Sequence, residues 1–240
     1  MAVRLVRMPW LGLLLLAAQV AAAQPLTVYY NERPPYAVTQ PDGQVHGLTA
    51  TPAAQALRSA GIEFRWTALP ATRQIATIRD GREPACALGW FRNPGREAFA
   101  RFSKPLYQDR PTVALAAAGS AFAGRRLSEV LATPALVVLV KDHFSYGSYV
   151  DALLARIKPI VMSTTVENVQ MVQMIARGRA DLMFTAEEEA ASLLDQAGPE
   201  VRHLQVLRFP DMPPGERRHL MCSRAVPAQL MQRLDEALHE

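Results

Sequence analysis

The chain has 240 residues, with 26 Lys and Arg against 22 Asp and Glu, a formal net charge of +4. A balance this close to neutral, with no Lys/Arg-rich block, argues against a nucleic-acid partner. Two cysteines and five scattered histidines without ligand spacing exclude a four-ligand metal site built from them, and no cofactor is expected.

Residues 1–23 read as a removable export signal. Arg4 and Arg7 precede an apolar stretch from Met8 through Val20, and Ala21-Ala22-Ala23 follow, the order of charged, hydrophobic and cleavage regions in a secretory leader. The apolar run is shorter than the roughly 20 residues that cross a bilayer, so cleavage is expected before Gln24. No cysteine lies near the cut, so a lipid anchor is not expected, and the product is placed in the periplasm as a soluble monomer. Removing two arginines leaves 24 basic against 22 acidic residues, a net charge of +2. In an exported chain, Cys86 and Cys222 are expected to form a disulfide.

Leu26–Tyr30 is predicted as a strand, and Arg33-Pro34-Pro35-Tyr36 forces an extended exit from it. Asp42-Gly43, between Tyr36–Gln40 and Gln44–Leu48, signals a hairpin. Thr51 followed by Pro52 predicts a helix N-cap, the helix running over Ala53–Ala60 until Gly61 stops it. A strand over Ile62–Ala68, a helix over Pro70–Arg79 and a strand over Ala85–Trp90 come next. This alternation predicts an α/β fold with mostly parallel sheets. It restarts with strand Val113–Ala118, helix Leu127–Leu131, strand Ala135–Val140, helix Tyr146–Ile157, strand Ile160–Met162, helix Thr165–Ala176, strand Ala180–Thr185 and helix Glu187–Gln196. Strands over Val201–Leu207 and His219–Ser223 and a closing helix over Pro227–Leu238 complete it.

Two such units predict two lobes, residues 24–109 with 218–240 forming the first and 110–217 the second. A Cys86–Cys222 bond would return the last strand to the first lobe. The chain would then cross twice, near Gln108–Pro111 and Arg208–Arg217, and two crossings make a hinge that can close on a ligand.

Several segments together resemble the bacterial extracellular solute-binding proteins of family 3, the polar-amino-acid type with the type II periplasmic-binding fold. They are Pro34-Pro35-Tyr36, Asp42-Gly43 with Gly47-Leu48, and Arg96 followed by Phe102-Ser103-Lys104-Pro105-Leu106-Tyr107. Further on come Ser145-Tyr146-Gly147, Gly178-Arg179-Ala180-Asp181, and the terminal strand and helix from Arg218. The resemblance implies capture of a small molecule for an inner-membrane permease or sensor, without catalysis. It implies that Arg96 clamps a ligand carboxylate, a task suited to the planar guanidinium fork, with Arg92 in reserve. It implies that Tyr36 and Trp90 lie near the ligand, and that Ser145 and Tyr146 open a helix toward it.

The chain also departs from the family pattern. Leu48, Thr49 and Thr51 stand where an aromatic and two aspartates are usual, and Ala186 stands where an acid pairs with the ligand ammonium. Glu187 is the neighbouring substitute. A carboxylate ligand lacking an α-amino group remains compatible with Arg96. A dehydratase-type enzyme is the rival reading, but Ser145 and Ser148 lie in no nucleophile elbow. The acids Glu187, Glu188 and Glu189 have a simpler role at a helix N-terminus, where negative charge is favourable.

Overall fold

The computed structural model describes residues 24–238, so the export signal expected over residues 1–23 lies outside the described residues. The first unit contains β1 (Leu26–Tyr30), β2 (Val38–Thr39), β3 (Val45–His46), α1 (Ala50–Ser59), β4 (Phe64–Ala68), α2 (Ala71–Asp80) and β5 (Ala85–Phe91). It continues with α3 (Pro94–Glu97), β6 (Ala100–Phe102) and β7 (Tyr107–Gln108). The second contains β8 (Val113–Ala117), α4 (Leu127–Leu131), β9 (Val137–Lys141), α5 (Ser148–Ile157) and β10 (Ile160–Thr164). It ends with α6 (Asn168–Ala176), β11 (Leu182–Thr185), α7 (Glu187–Ala197) and β12 (Leu204–Leu207), before β13 (Arg217–Ser223) and α8 (Ala228–Ala237) close the chain.

The fold is α/β and two-lobed, with one main sheet per lobe and a small antiparallel hairpin, β2-β3, beside the first. The first sheet has the order β4-β1-β5-β13-β6, with β7 also on β13, and the second the order β10-β9-β11-β8-β12. In the first, β4, β1 and β5 are parallel and β13 runs antiparallel to β5, β6 and β7. In the second, β10, β9 and β11 are parallel and β8 runs against both β11 and β12. A single strand therefore opposes the rest in each sheet.

Alternation along the strands buries both faces. Leu26, Val28, Cys86 and Leu88 pack with α1 and α8 on one face of the first sheet, and Ala85, Ala87 and Met221 with Ile75 and Ile78 of α2 on the other. In the second, Leu115, Leu139 and Met183 face α6 and α7, whereas Ala114, Val138 and Leu182 face α4 and α5. Helix α1 docks through Ala50, Ala53, Ala54 and Leu57, the i, i+3, i+4, i+7 stripe of an amphipathic helix.

Thr51 does not cap α1, which begins at Ala50 with Thr49 at the N-cap position. The Thr49 hydroxyl donates instead to the Tyr36 carbonyl at 3.0 Å, while Thr51 Oγ1 accepts from the Gly47 N–H at 3.1 Å. Cys86 and Cys222 are disulfide-bonded and face each other across β5 and β13.

The chain passes from the first sheet to the second over residues 109–112 and returns over residues 208–216. These two passages touch: the Asp109 N–H donates to the Glu216 carbonyl at 3.0 Å. A Cβ on Gly215 would collide with the carbonyl oxygens of Asp109 and Arg110, so only glycine lets the two segments lie so close. Among the described residues no helix is long and apolar enough to cross a membrane.

Candidate functional site

A cleft lies where the C-terminal ends of β1 and β5 in one lobe meet those of β9 and β11 in the other. Its lining includes Arg33, Tyr36, Trp90 and Arg96 from the first lobe, and Phe144, Ser145, Tyr146 and Glu189 from the second. Crevices outside the carboxyl ends of parallel strands are where open α/β sheets bind ligands.

Trp90 is the next-to-last residue of β5 and is fixed by Gln74 of α2. Its Nε1–H donates to Gln74 Oε1 at 2.9 Å, and Gln74 Nε2 donates to the Leu69 carbonyl at 2.7 Å. Three residues on, Asn93 caps the short helix α3 by accepting from the Arg96 N–H at 3.0 Å, which turns the Arg96 side chain back over the Trp90 ring, 4.7 Å from its centroid. The guanidinium donates to the carbonyls of Phe91 at 2.8 Å and His143 at 3.3 Å, the second in the opposite lobe. Arg96 is 7% exposed and no carboxylate bonds it. Burial lowers its pKa to about 10, against the attraction of Asp151. A guanidinium offers five N–H donors, so three remain for something else.

The other two arginines of the cleft are neutralised. Arg218 of β13 grips Asp109 with two hydrogen bonds, at 2.7 and 2.6 Å, and donates a third to the Gly89 carbonyl at 3.0 Å. Burial pushes the Asp109 carboxyl up, against the pull of the Arg218 guanidinium. Arg33 reaches across the cleft to Glu189 of α7, with Nε and Nη2 at 2.9 and 2.8 Å from its two oxygens. Thr185 Oγ1 at 3.0 Å and Asn168 Nδ2 at 3.1 Å complete the shell of that carboxylate. The Tyr36 ring lies between these cations, 5.2 Å from Arg33 and 4.0 Å from Arg218, and burial raises its hydroxyl pKa.

Burial opposes the charge of Glu189, but the Arg33 charge and hydrogen bonds hold its carboxyl below the ordinary value of 4.5. The contribution of this bridge is therefore complete above that value and is lost as pH falls through the lower value in the fold. Denaturation midpoints of the protein and of Arg33→Ala should differ near neutral pH and converge only as pH falls below 4.5 through the depressed value of the folded carboxyl; a gap that stays constant would detach the bridge from stability.

Of the residues singled out from sequence, Tyr36, Trp90, Arg96, Ser145 and Tyr146 line one cleft, and Arg92 and Glu187 do not. Arg92 is exposed and paired with Glu97 at 2.6 Å. Glu187 turns away to Arg208, at 2.8 Å. The Ser145 hydroxyl and the Tyr146 N–H ahead of α5 are not free donors either. Asp151 takes the Ser145 hydroxyl and, at 3.0 Å, the Tyr146 N–H, while Glu216 takes the Ser148 N–H at 2.6 Å. The helix start is filled by the protein's own carboxylates. Sequence reasoning missed Arg33, Asp109, Glu189 and Arg218 as lining groups.

The family model of the bacterial extracellular solute-binding proteins, family 3, matches residues 26–239. The chain belongs to that family. Among solved structures, an ancestral arginine-binding protein bound to arginine is 15% identical over 89% of this chain and 90% of its own, with a TM-score of 0.68. The arginine-, lysine-, histidine-binding protein of Geobacillus stearothermophilus is 15% identical over 89% of this chain and 87% of its own, with a TM-score of 0.69. A histidine kinase sensor domain with similarity to periplasmic binding proteins is 16% identical over 89% and 88%, with a TM-score of 0.70. Such distant identities establish the shared two-lobed fold. No curated protein matches the chain in sequence.

Proposed function

We propose that this family member is a non-catalytic periplasmic receptor that captures a small carboxylate-bearing ligand between its lobes and delivers it to an ABC permease. The observation that carries this reading is Arg96, a buried guanidinium on the cleft wall whose protein partners are two carbonyl oxygens and no acid. A carboxylate would meet its free donors in a charge-assisted pair. The proposed lobes are residues 24–109 with 218–240, and 110–217, turning about the paired crossings. Arg96 already donates to His143 in the other lobe, so a ligand on Arg96 is met by both halves only in the closed form, and its binding shifts the population toward closure. The leader expected over residues 1–23 and the Cys86–Cys222 disulfide support an oxidising, exported location. Delivery to a membrane sensor is the second reading, favoured by the likeness to a kinase sensor domain.

Thermal-shift screening of carboxylic acids tests the capture reading. A ligand at 100 times its Kd adds about 2.7 kcal/mol, which for a chain of this size raises Tm by roughly 5–11 °C. Arg96→Ala is expected to abolish that rise while remaining folded. An unchanged rise in the variant would remove Arg96 from the site.

A further inference from the structure

The charges lining the cleft form a short account. Arg33 is matched by Glu189 and Arg218 by Asp109, each in a two-bond ion pair. Arg96 has no acidic hydrogen-bond partner, and Asp151, the acid that acts on it through space, lies outside the lining, where it bonds the Ser145 hydroxyl and the Tyr146 N–H. The lining therefore carries one uncompensated positive charge, enough for one carboxylate.

The hydrogen-bond donors of the polar side chains are used in the same way, which leaves only neutral oxygens, such as Asn168 Oδ1, outside the ion pairs. Thr49 donates to the Tyr36 carbonyl, Thr112 to the Tyr146 carbonyl, and Thr185 and Asn168 to Glu189. Ala186 on the same wall carries no polar group. An incoming ammonium would need an acid to offset its charge, and the one acid that the second lobe contributes to the lining, Glu189, already accepts four hydrogen bonds, two of them from Arg33. Taking Glu189 for a ligand would strand the Arg33 guanidinium against the Tyr36 and Phe144 rings, an uncompensated charge in a poorly hydrated place. The remaining surface is apolar: Leu88, Trp90, Phe144, Met171, Met183 and Phe184.

We infer that the Arg33–Glu189 bridge occupies the place an ammonium would need and so sets the ligand class: a monocarboxylate with an apolar body and no amino group. This inference rests on the capture reading proposed above and narrows it. Arg33 is a specificity-determining residue that acts by satisfying Glu189 from within the protein, a repulsive device against cationic and zwitterionic ligands.

Calorimetric titration with matched pairs tests it: 3-phenylpropanoate against L-phenylalanine, and 4-methylpentanoate against L-leucine, the members of each pair differing only by the amino group. The purified protein is expected to bind the acid without the amine at least tenfold more tightly in one pair or both. In Arg33→Ala, which leaves Glu189 free, the preference is expected to shrink or invert. Equal or tighter binding of the amino acid by the unaltered protein would overturn the inference and leave carboxylate capture standing. A preference that survives unchanged in Arg33→Ala would overturn the role of Arg33. No binding of any of the four at millimolar concentration would overturn the inference together with the capture reading. The comparison on the unaltered protein decides the ligand class whether or not the variant folds.

Discussion

Replacing Cys86 and Cys222 together by alanine is expected to lower Tm by roughly 10–20 °C. The disulfide spans 136 residues of sequence, and in the chain-entropy description a loop of that length restricts the unfolded chain by about 5 kcal/mol, each kcal/mol being worth roughly 2–4 °C here. The topology gives the bond a specific task. Between Cys86 and Cys222 the chain leaves the first sheet, builds the entire second sheet and returns as β13, which must insert between β5 and β6. Without the bond, β13 and α8 dock through non-covalent contacts alone, after closing a loop of 136 residues. Both cysteines are fully buried, so the double alanine variant is a cleaner comparison than reduction of the folded protein. A fall of less than about 3 °C would show that the returning segment holds its place without the bond.

Arg218→Met should destabilise the fold by about 3–5 kcal/mol, because it leaves Asp109 buried without its cation. Arg218 and Asp109 are 4% and 6% exposed, so solvent does little to screen the loss. The pair also sits at the hinge: Asp109 lies on the outward crossing and Arg218 just after the return, with the Asp109 N–H donating to the Glu216 carbonyl at 3.0 Å. The corresponding fall in Tm is roughly 6–20 °C. Adding Asp109→Leu should recover most of it, since a buried ion pair replaced by apolar groups of similar bulk is often close to neutral. If the single and double variants are equally unstable, the loss comes from the Arg218 contacts with Tyr36 and Phe91 and not from the stranded carboxylate.

The longer elements were readable because apolar period and punctuation agree along them. Leu127–Leu131 is helical over the predicted residues, and α2 ends at Gly81, which has a φ of 64°, a conformation glycine adopts without strain. The elements missed, α3, β6, β7 and a 3-10 turn over Pro199–Val201 where a strand from Val201 was expected, span two to four residues, too short to show a period. Of these, β6 and β7 are strands only because β13, more than 100 residues later, lies beside them. Long-range pairing of this kind leaves no local signature.

In the site, the family resemblance points to Arg96, and nothing in it points to the neutralising partners. Glu187, Glu188 and Glu189 are consecutive, and at about 100° per residue they point three ways: to Arg208, to the hydroxyls of Tyr36 and Tyr107, and to Arg33. A signal did exist. Glu189 is in register with Leu193 and Ala197 on the buried stripe of α7, and an acid on an apolar stripe calls for a partner. Arg33 offers no such mark, because its loop position before Pro34-Pro35 says nothing about the lobe it faces. Ser145 and Tyr146 lie just before α5. Their donors are nevertheless consumed by Asp151 in the first turn of that helix, an internal acid that serves the helix end in the way a ligand anion would.

Calorimetric titration of 3-phenylpropanoate and 4-methylpentanoate into the protein and into folded Arg96→Ala is the most direct test of carboxylate capture. Saturable one-site binding by the protein, lost in the variant, is the result predicted from the unpaired guanidinium in the cleft. Equal affinity in both proteins would contradict it.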